Sequence, residues 1–118
     1  MQPVNYQLAQ ECLDLYQQTY SAAVVTNRMT DSVGFMKTQF VAWLTQLHEG
    51  TDYDELRMCL GMYTKEILEA YEMPAILENR VTIFVYPYTA GVRTKWHHGV
   101  GGDEPCDPFN MGTVQPTP

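Results

Sequence analysis

At 118 residues and 45% hydrophobic content, the chain is long enough for one modest core and too apolar for global disorder. Its net charge of −7 opposes direct binding to duplex nucleic acid, where phosphate contacts dominate affinity. No run approaches the roughly eighteen apolar residues of a membrane span, and the first residues lack the basic and apolar regions of a signal peptide. Three widely spaced cysteines, Cys12, Cys59 and Cys106, form no CxxC pair and argue against a disulfide framework. The expected location is cytoplasmic, or within a virion or other large assembly drawn from a cytosolic pool.

The first predicted element is a helix over about Asn5–Thr26, with Leu8, Cys12, Leu15, Tyr16, Thr19 and Ala23 as its apolar stripe. Asn5 offers a cap and Pro3 suits the entry. A second helix is expected over about Ser32–His48, with Met36, Phe40, Trp43, Leu44 and Leu47 on its buried face and Gly50 as a left-handed stop. A third is expected from Thr51 to Met73. Thr51–Asp54 fits a capping box, Leu56, Cys59, Leu60, Tyr63, Ile67 and Tyr71 form the stripe, and Pro74 is the terminator.

The periodicity then changes. Val81–Tyr86 is rich in β-branched and aromatic residues, Pro87 ends the strand or marks an edge, and Val92–Trp96 alternates as a return strand, giving a β-hairpin. A lone hairpin is marginal in water, so it must pack on the helices or join strands of another chain. Residues 99–118 hold four glycines and four prolines and only a few apolar anchors, and read as an extended arm. Charge divides along the same lines. Residues 1–79 carry −7, residues 80–98 carry +3 from Arg80, Arg93 and Lys95, and residues 99–118 carry −3.

No motif rises to an active site. His97, His98, Asp103, Glu104, Cys106 and Asp107 are potential metal ligands, but adjacent histidines diverge on a strand and one cysteine is too few for a structural zinc pattern. Neither Ser21 nor Ser32 lies in a nucleophile elbow, and Cys12 and Cys59 sit on predicted apolar faces as small hydrophobes. Acidic neighbours disfavour a Cys106 thiolate. The glycines at 99, 101 and 102 lack the lysine and helix of a phosphate loop. Glu66, Glu69 and Glu72 read as a solvated face, or as a patch for a basic partner. Tyr86, Tyr88 and Trp96 interleaved with Arg93 and Lys95 could stack on single-stranded bases, but the acidic body opposes it. Eight tyrosines, two tryptophans and seven methionines are types enriched in protein interfaces.

The resulting expectation is an α+β fold: a three-helix bundle followed by a β-hairpin and an extended Gly/Pro-rich C-terminal arm. Residues 1–98 form one helical domain with the hairpin, and 99–118 form the arm. The expected function is a non-enzymatic assembly subunit without a cofactor, a homo-oligomer or part of a larger complex, similar in plan to small viral connector and accessory subunits. The expected partner-binding residues are Tyr86, Tyr88, Arg93, Lys95, Trp96, Asp103, Glu104, Asp107, Phe109 and Met111. Removal of 99–118 is expected to leave the body folded. The alternative is an acidic binding protein or inhibitor that occupies a basic surface on a partner enzyme or nucleic-acid-binding complex.

Overall fold

The computed structural model describes residues 2–20, 30, 32–97, 104–110 and 113–115. Among them, three α-helices accompany a four-stranded antiparallel sheet and a separate two-stranded pair. The mixture of helix and strand holds, but the three-helix bundle does not. The sheet organises the molecule.

Helix α1 spans Tyr6–Tyr20. Asn5 caps it, its Oδ1 accepting from the Leu8 N–H at 3.0 Å. Leu8, Cys12, Leu15 and Tyr16 stay exposed, so the α1 stripe is not the wall of a bundle core. Strand β1, Ser32–Gly34, lies where the second helix was expected to begin, and α2 spans Lys37–Gly50. Thr51 does not start a third helix. Its hydroxyl donates back to the Leu47 carbonyl at 2.8 Å, closing α2.

The segment expected to continue as the third helix is instead β2, Glu55–Met62. Leu56 and Leu60 fit a four-residue helical step, but Leu56, Met58, Leu60 and Met62 also alternate with period two. Gly61 weakens the helical alternative by about 1 kcal/mol. A β carbon at Gly61 would come within 3.1 Å of the Phe84 ring, so glycine lets β2 lie against its neighbour. The helix that does form, α3 at Lys65–Ala70, is capped by Thr64, which accepts from the Ile67 N–H at 3.2 Å. A 3-10 turn at Ala75–Leu77 leads to β3, Val81–Thr89.

Strand β3 is the axis of the sheet. It pairs along its length with β2, in a register that sets Arg57 opposite Tyr86 and Leu60 opposite Ile83. On its other side it pairs with β4, Val92–Arg93, across a turn in which Ala90 and Gly91 take positive φ of 50° and 82°. It then pairs with β5, Phe109–Asn110. Strand β6, Thr113–Gln115, pairs with β1. The C-terminal segment is therefore not an arm standing clear of the body, because its own backbone supplies two strands.

Pro87 explains the change of partner along β3. The Pro87 carbonyl accepts from the Thr94 N–H at 2.9 Å, but proline has no N–H to return. The Thr94 carbonyl accepts instead from the Cys106 N–H at 3.2 Å, and Trp96 N–H donates to the Glu104 carbonyl at 3.0 Å. The hairpin stops early and the C-terminal segment takes its place.

Side chains opposite one another share a face, so the sheet has two distinct surfaces. One carries Val85 and Phe109, and α2 packs against it at Phe109. Phe109 meets Phe40 and Trp43 with ring centroids 5.3 and 5.4 Å apart, and Phe35 closes the cluster. The other carries Thr82, Phe84, Tyr86 and Tyr88. At its Thr82 end, Tyr63, Leu68 and Leu77 form a buried cluster with Val33, Ile67 and Met73. The Tyr63 hydroxyl donates to Asn110 Oδ1 at 3.1 Å and accepts from the Thr82 hydroxyl at 3.3 Å. That buried chain ties β5 into the core. Among the described residues, no helix is long and apolar enough to cross a membrane.

Candidate functional site

Alternation along β3 places Tyr88, Tyr86 and Phe84 in one row, two residues and about 7 Å apart. The flanking strands bring a guanidinium to each tyrosine. Arg57 of β2 lies 3.9 Å from the centroid of the Tyr88 ring, and Arg93 of β4 lies 3.9 Å from that of Tyr86. Each cation reaches diagonally past the residue directly opposite it, since the register sets Arg57 against Tyr86 and Arg93 against Tyr88.

The two arginines are held differently. Arg57 donates through Nε and Nη2 to Glu55 Oε1, both at 3.0 Å, so much of its charge is balanced locally. Its pKa is raised first by that hydrogen bond. The Arg93 pKa is raised first by a hydrogen bond to Tyr88. Stacking engages the face of a guanidinium, while its N–H groups lie in the plane and can still meet a planar oxyanion. Both arginines are exposed. The result is a pre-ordered cationic surface with aromatic support, on a chain of net charge −7.

Beyond Phe84 the same face opens into a cleft of about 500 Å³, lined by Ile67, Tyr71, Met73, Phe84, Asp107, Pro108 and Asn110. Its walls are mostly apolar, and Asp107 is the one carboxylate among the described lining residues. Cation-bearing layer and apolar cleft thus adjoin along one sheet face, with Phe84 as the boundary.

The structure sorts the expected partner-binding residues. Tyr86, Tyr88 and Arg93 come together, and Asp107 borders the cleft. Lys95 is exposed and bridges to Pro105. Trp96 and Phe109 serve the fold, Trp96 against Gly50 and Phe109 in the aromatic cluster. Glu104 is exposed and contributes its backbone carbonyl. Asp103 and Met111 lie outside the described residues. Arg80, counted among the hairpin cations, is buried, with Nε 3.4 Å from the Thr30 hydroxyl. Among the described residues no ion pair joins Arg93 or Lys95 to Glu104 or Asp107, so backbone pairing rather than charge holds the C-terminal segment.

Arg57 was missed. It lies 31 positions from Tyr88 in the chain, and only the β2–β3 register brings the two together. The signal that could have found it is the alternation of Leu56, Met58, Leu60 and Met62, which makes the segment a strand.

The metal-ligand candidates do not converge. His97 Nε2 meets Asp52 Oδ2 at 2.7 Å, Cys106 is buried, and His98 and Asp103 lie outside the described residues. Among the described residues no three His, Cys, Asp or Glu side chains are grouped to hold an ion. Burial first, and then Asp107, push the Cys106 thiol up, away from the thiolate that a nucleophile or metal ligand needs. No family model, no curated protein and no solved structure matches the chain.

Proposed function

We propose that this chain is a non-enzymatic, protein-binding subunit whose sheet face receives an acidic segment carrying an adjacent apolar side chain. The observation that carries the reading is the pair of exposed guanidiniums, each 3.9 Å from a tyrosine ring centroid, beside an apolar cleft on the same face. A carboxylate can meet the in-plane donors of Arg93, and an apolar neighbour can enter the cleft beyond Phe84. Aromatic and arginine side chains of this kind dominate interface energetics. The net charge of −7 favours a short acidic segment over a nucleic acid strand, whose phosphates would be repelled along their length. The same cationic face gives the inhibitor alternative less support, since that reading requires an acidic surface to make the contact.

Selection of a displayed random-peptide library on the whole chain, counter-selected on the Arg93→Glu variant, tests this. Enriched peptides are expected to carry Asp or Glu one to three positions from a large apolar residue. Arg93→Ala is expected to weaken them about tenfold, or about 1.4 kcal/mol. Enrichment of basic peptides, or binding indifferent to Arg93, overturns the reading.

A further inference from the structure

Strand β2 is an edge strand, since among the described residues β3 is its one partner. It is eight residues long and contains no lysine or proline. Natural proteins protect such edges with charges, prolines or bulges, because an open row of amides and carbonyls templates pairing with another chain. Here the edge also carries an uncovered apolar row. Met58, Leu60 and Met62 point to one face and are 65, 78 and 60% exposed.

The hydrogen-bond pattern fixes which groups face outward. Tyr63 donates its N–H inward to the Arg80 carbonyl at 3.0 Å, in line with the β2–β3 register. Backbone direction alternates along a strand, so Gly61, Cys59 and Arg57 also face β3. Leu56, Met58, Leu60 and Met62 therefore present their N–H and C=O groups to the open edge.

We propose that this edge is covered by the β2 strand of a second copy, antiparallel about a twofold axis at Cys59, making one continuous sheet across the dimer. The strand itself selects that occupant and register. With the axis at Cys59, Leu56 falls opposite Met62 of the other copy and Met58 opposite its Leu60, so all four apolar residues pair with one another. An axis at Met58 sets Met62 against Asp54, and one at Leu60 sets Leu56 against Thr64. Charge agrees. The Cys59 axis sets Arg57 against Gly61 and Glu55 against Tyr63, so no like charges oppose. Gly61 has no side chain to cover Arg57, which leaves the cationic layer of each copy open. The two Cys59 residues form a non-hydrogen-bonded pair, in which Cα atoms lie about 4.5 Å apart, within disulfide reach.

This dimer stands independently of the acidic-segment reading, and its test reads mass rather than peptide binding. Native mass spectrometry and light scattering of the whole chain are expected to give twice the 13.5 kDa chain mass. Leu60→Lys puts a charge on an exposed side chain and is expected to give the single mass with an unchanged circular dichroism spectrum. Leu8→Glu on the exposed stripe of α1 is expected to keep the dimer. Copper(II)–phenanthroline is expected to join two Cys59 thiols, with loss of two protons and transfer of two electrons to copper, and peptide mapping would read that link directly. A monomeric native chain, a dimer that survives Leu60→Lys, a dimer lost in Leu8→Glu, or cross-linking without a Cys59–Cys59 product each overturns the proposal.

Discussion

Gly50 shows how one residue can suit a sequence rule for a different physical reason. Its position after the apolar stripe of α2 suggests a left-handed stop, yet it is the last residue of the helix itself. A β carbon there would lie 2.7 Å from Cε3 of Trp96, closer than such atoms approach. The absence of a side chain lets the Trp96 ring lie on the end of α2, and the His97 N–H donates to the Gly50 carbonyl at 2.9 Å. Gly50→Ala is therefore expected to destabilise the fold by about 1–3 kcal/mol, the usual cost of forcing extra volume into a packed contact. Urea unfolding followed by tryptophan fluorescence would measure it. A helix stabilised by the alanine would show that Trp96 yields at no cost. The same contact explains why Trp96, a plausible interface residue by type, is committed within its own chain, whereas Arg93, Tyr86 and Tyr88 remain outward.

At the scale of elements, Pro87 and Phe109 act together. Pro87 ends the β3–β4 pairing by withholding one N–H, and the C-terminal segment fills the vacated side of β3, delivering Phe109 to Phe35, Phe40 and Trp43. Phe109→Ala is expected to cost about 2–3 kcal/mol, below the 3–5 of a fully buried phenylalanine because this one is half-buried. Removal of 99–118 should cost more, contrary to the expectation of an independent body. A chemical-denaturation midpoint unchanged by Phe109→Ala would show that the segment does not support the core. These pairings also mark the limit of what the sequence makes legible. The start of α1 is readable from Asn5, and β3 from its run of β-branched and aromatic residues, because those signals are local. Strand β2 is ambiguous because Leu56 and Leu60 satisfy both periods, and the choice between them is made by pairing with β3. The two residues of β5 carry no pattern of their own, and their place depends on partners 24 and 26 positions away in the chain. Half of the cationic layer is readable in Tyr86, Tyr88 and Arg93. The other half, Arg57, depends on the ambiguous strand.

At the scale of the whole molecule, the two proposed contacts respond to salt with opposite signs. Each copy carries −7, so bringing two together works against long-range repulsion even though the β2 edge joins apolar residues and backbone groups. The screening length falls from about 10 Å at 0.1 M salt to about 3 Å at 1 M, which removes that repulsion and leaves the apolar contact intact. The dimer dissociation constant, followed by analytical ultracentrifugation, is expected to fall several-fold across that range. Binding of an acidic peptide at Arg93 uses attraction between exposed charges, which the same salt screens, so its affinity, followed by fluorescence polarisation of the labelled peptide, is expected to decline. Parallel responses would sink the division of labour between edge and face. If both weakened, the dimer contact would itself be ionic, and the apolar pairing of Leu56, Met58, Leu60 and Met62 would not be its basis. If both strengthened, the peptide would be held by the cleft beyond Phe84 alone, with no contribution from the guanidiniums. Opposite slopes are what an apolar edge and a cationic face on one acidic chain require.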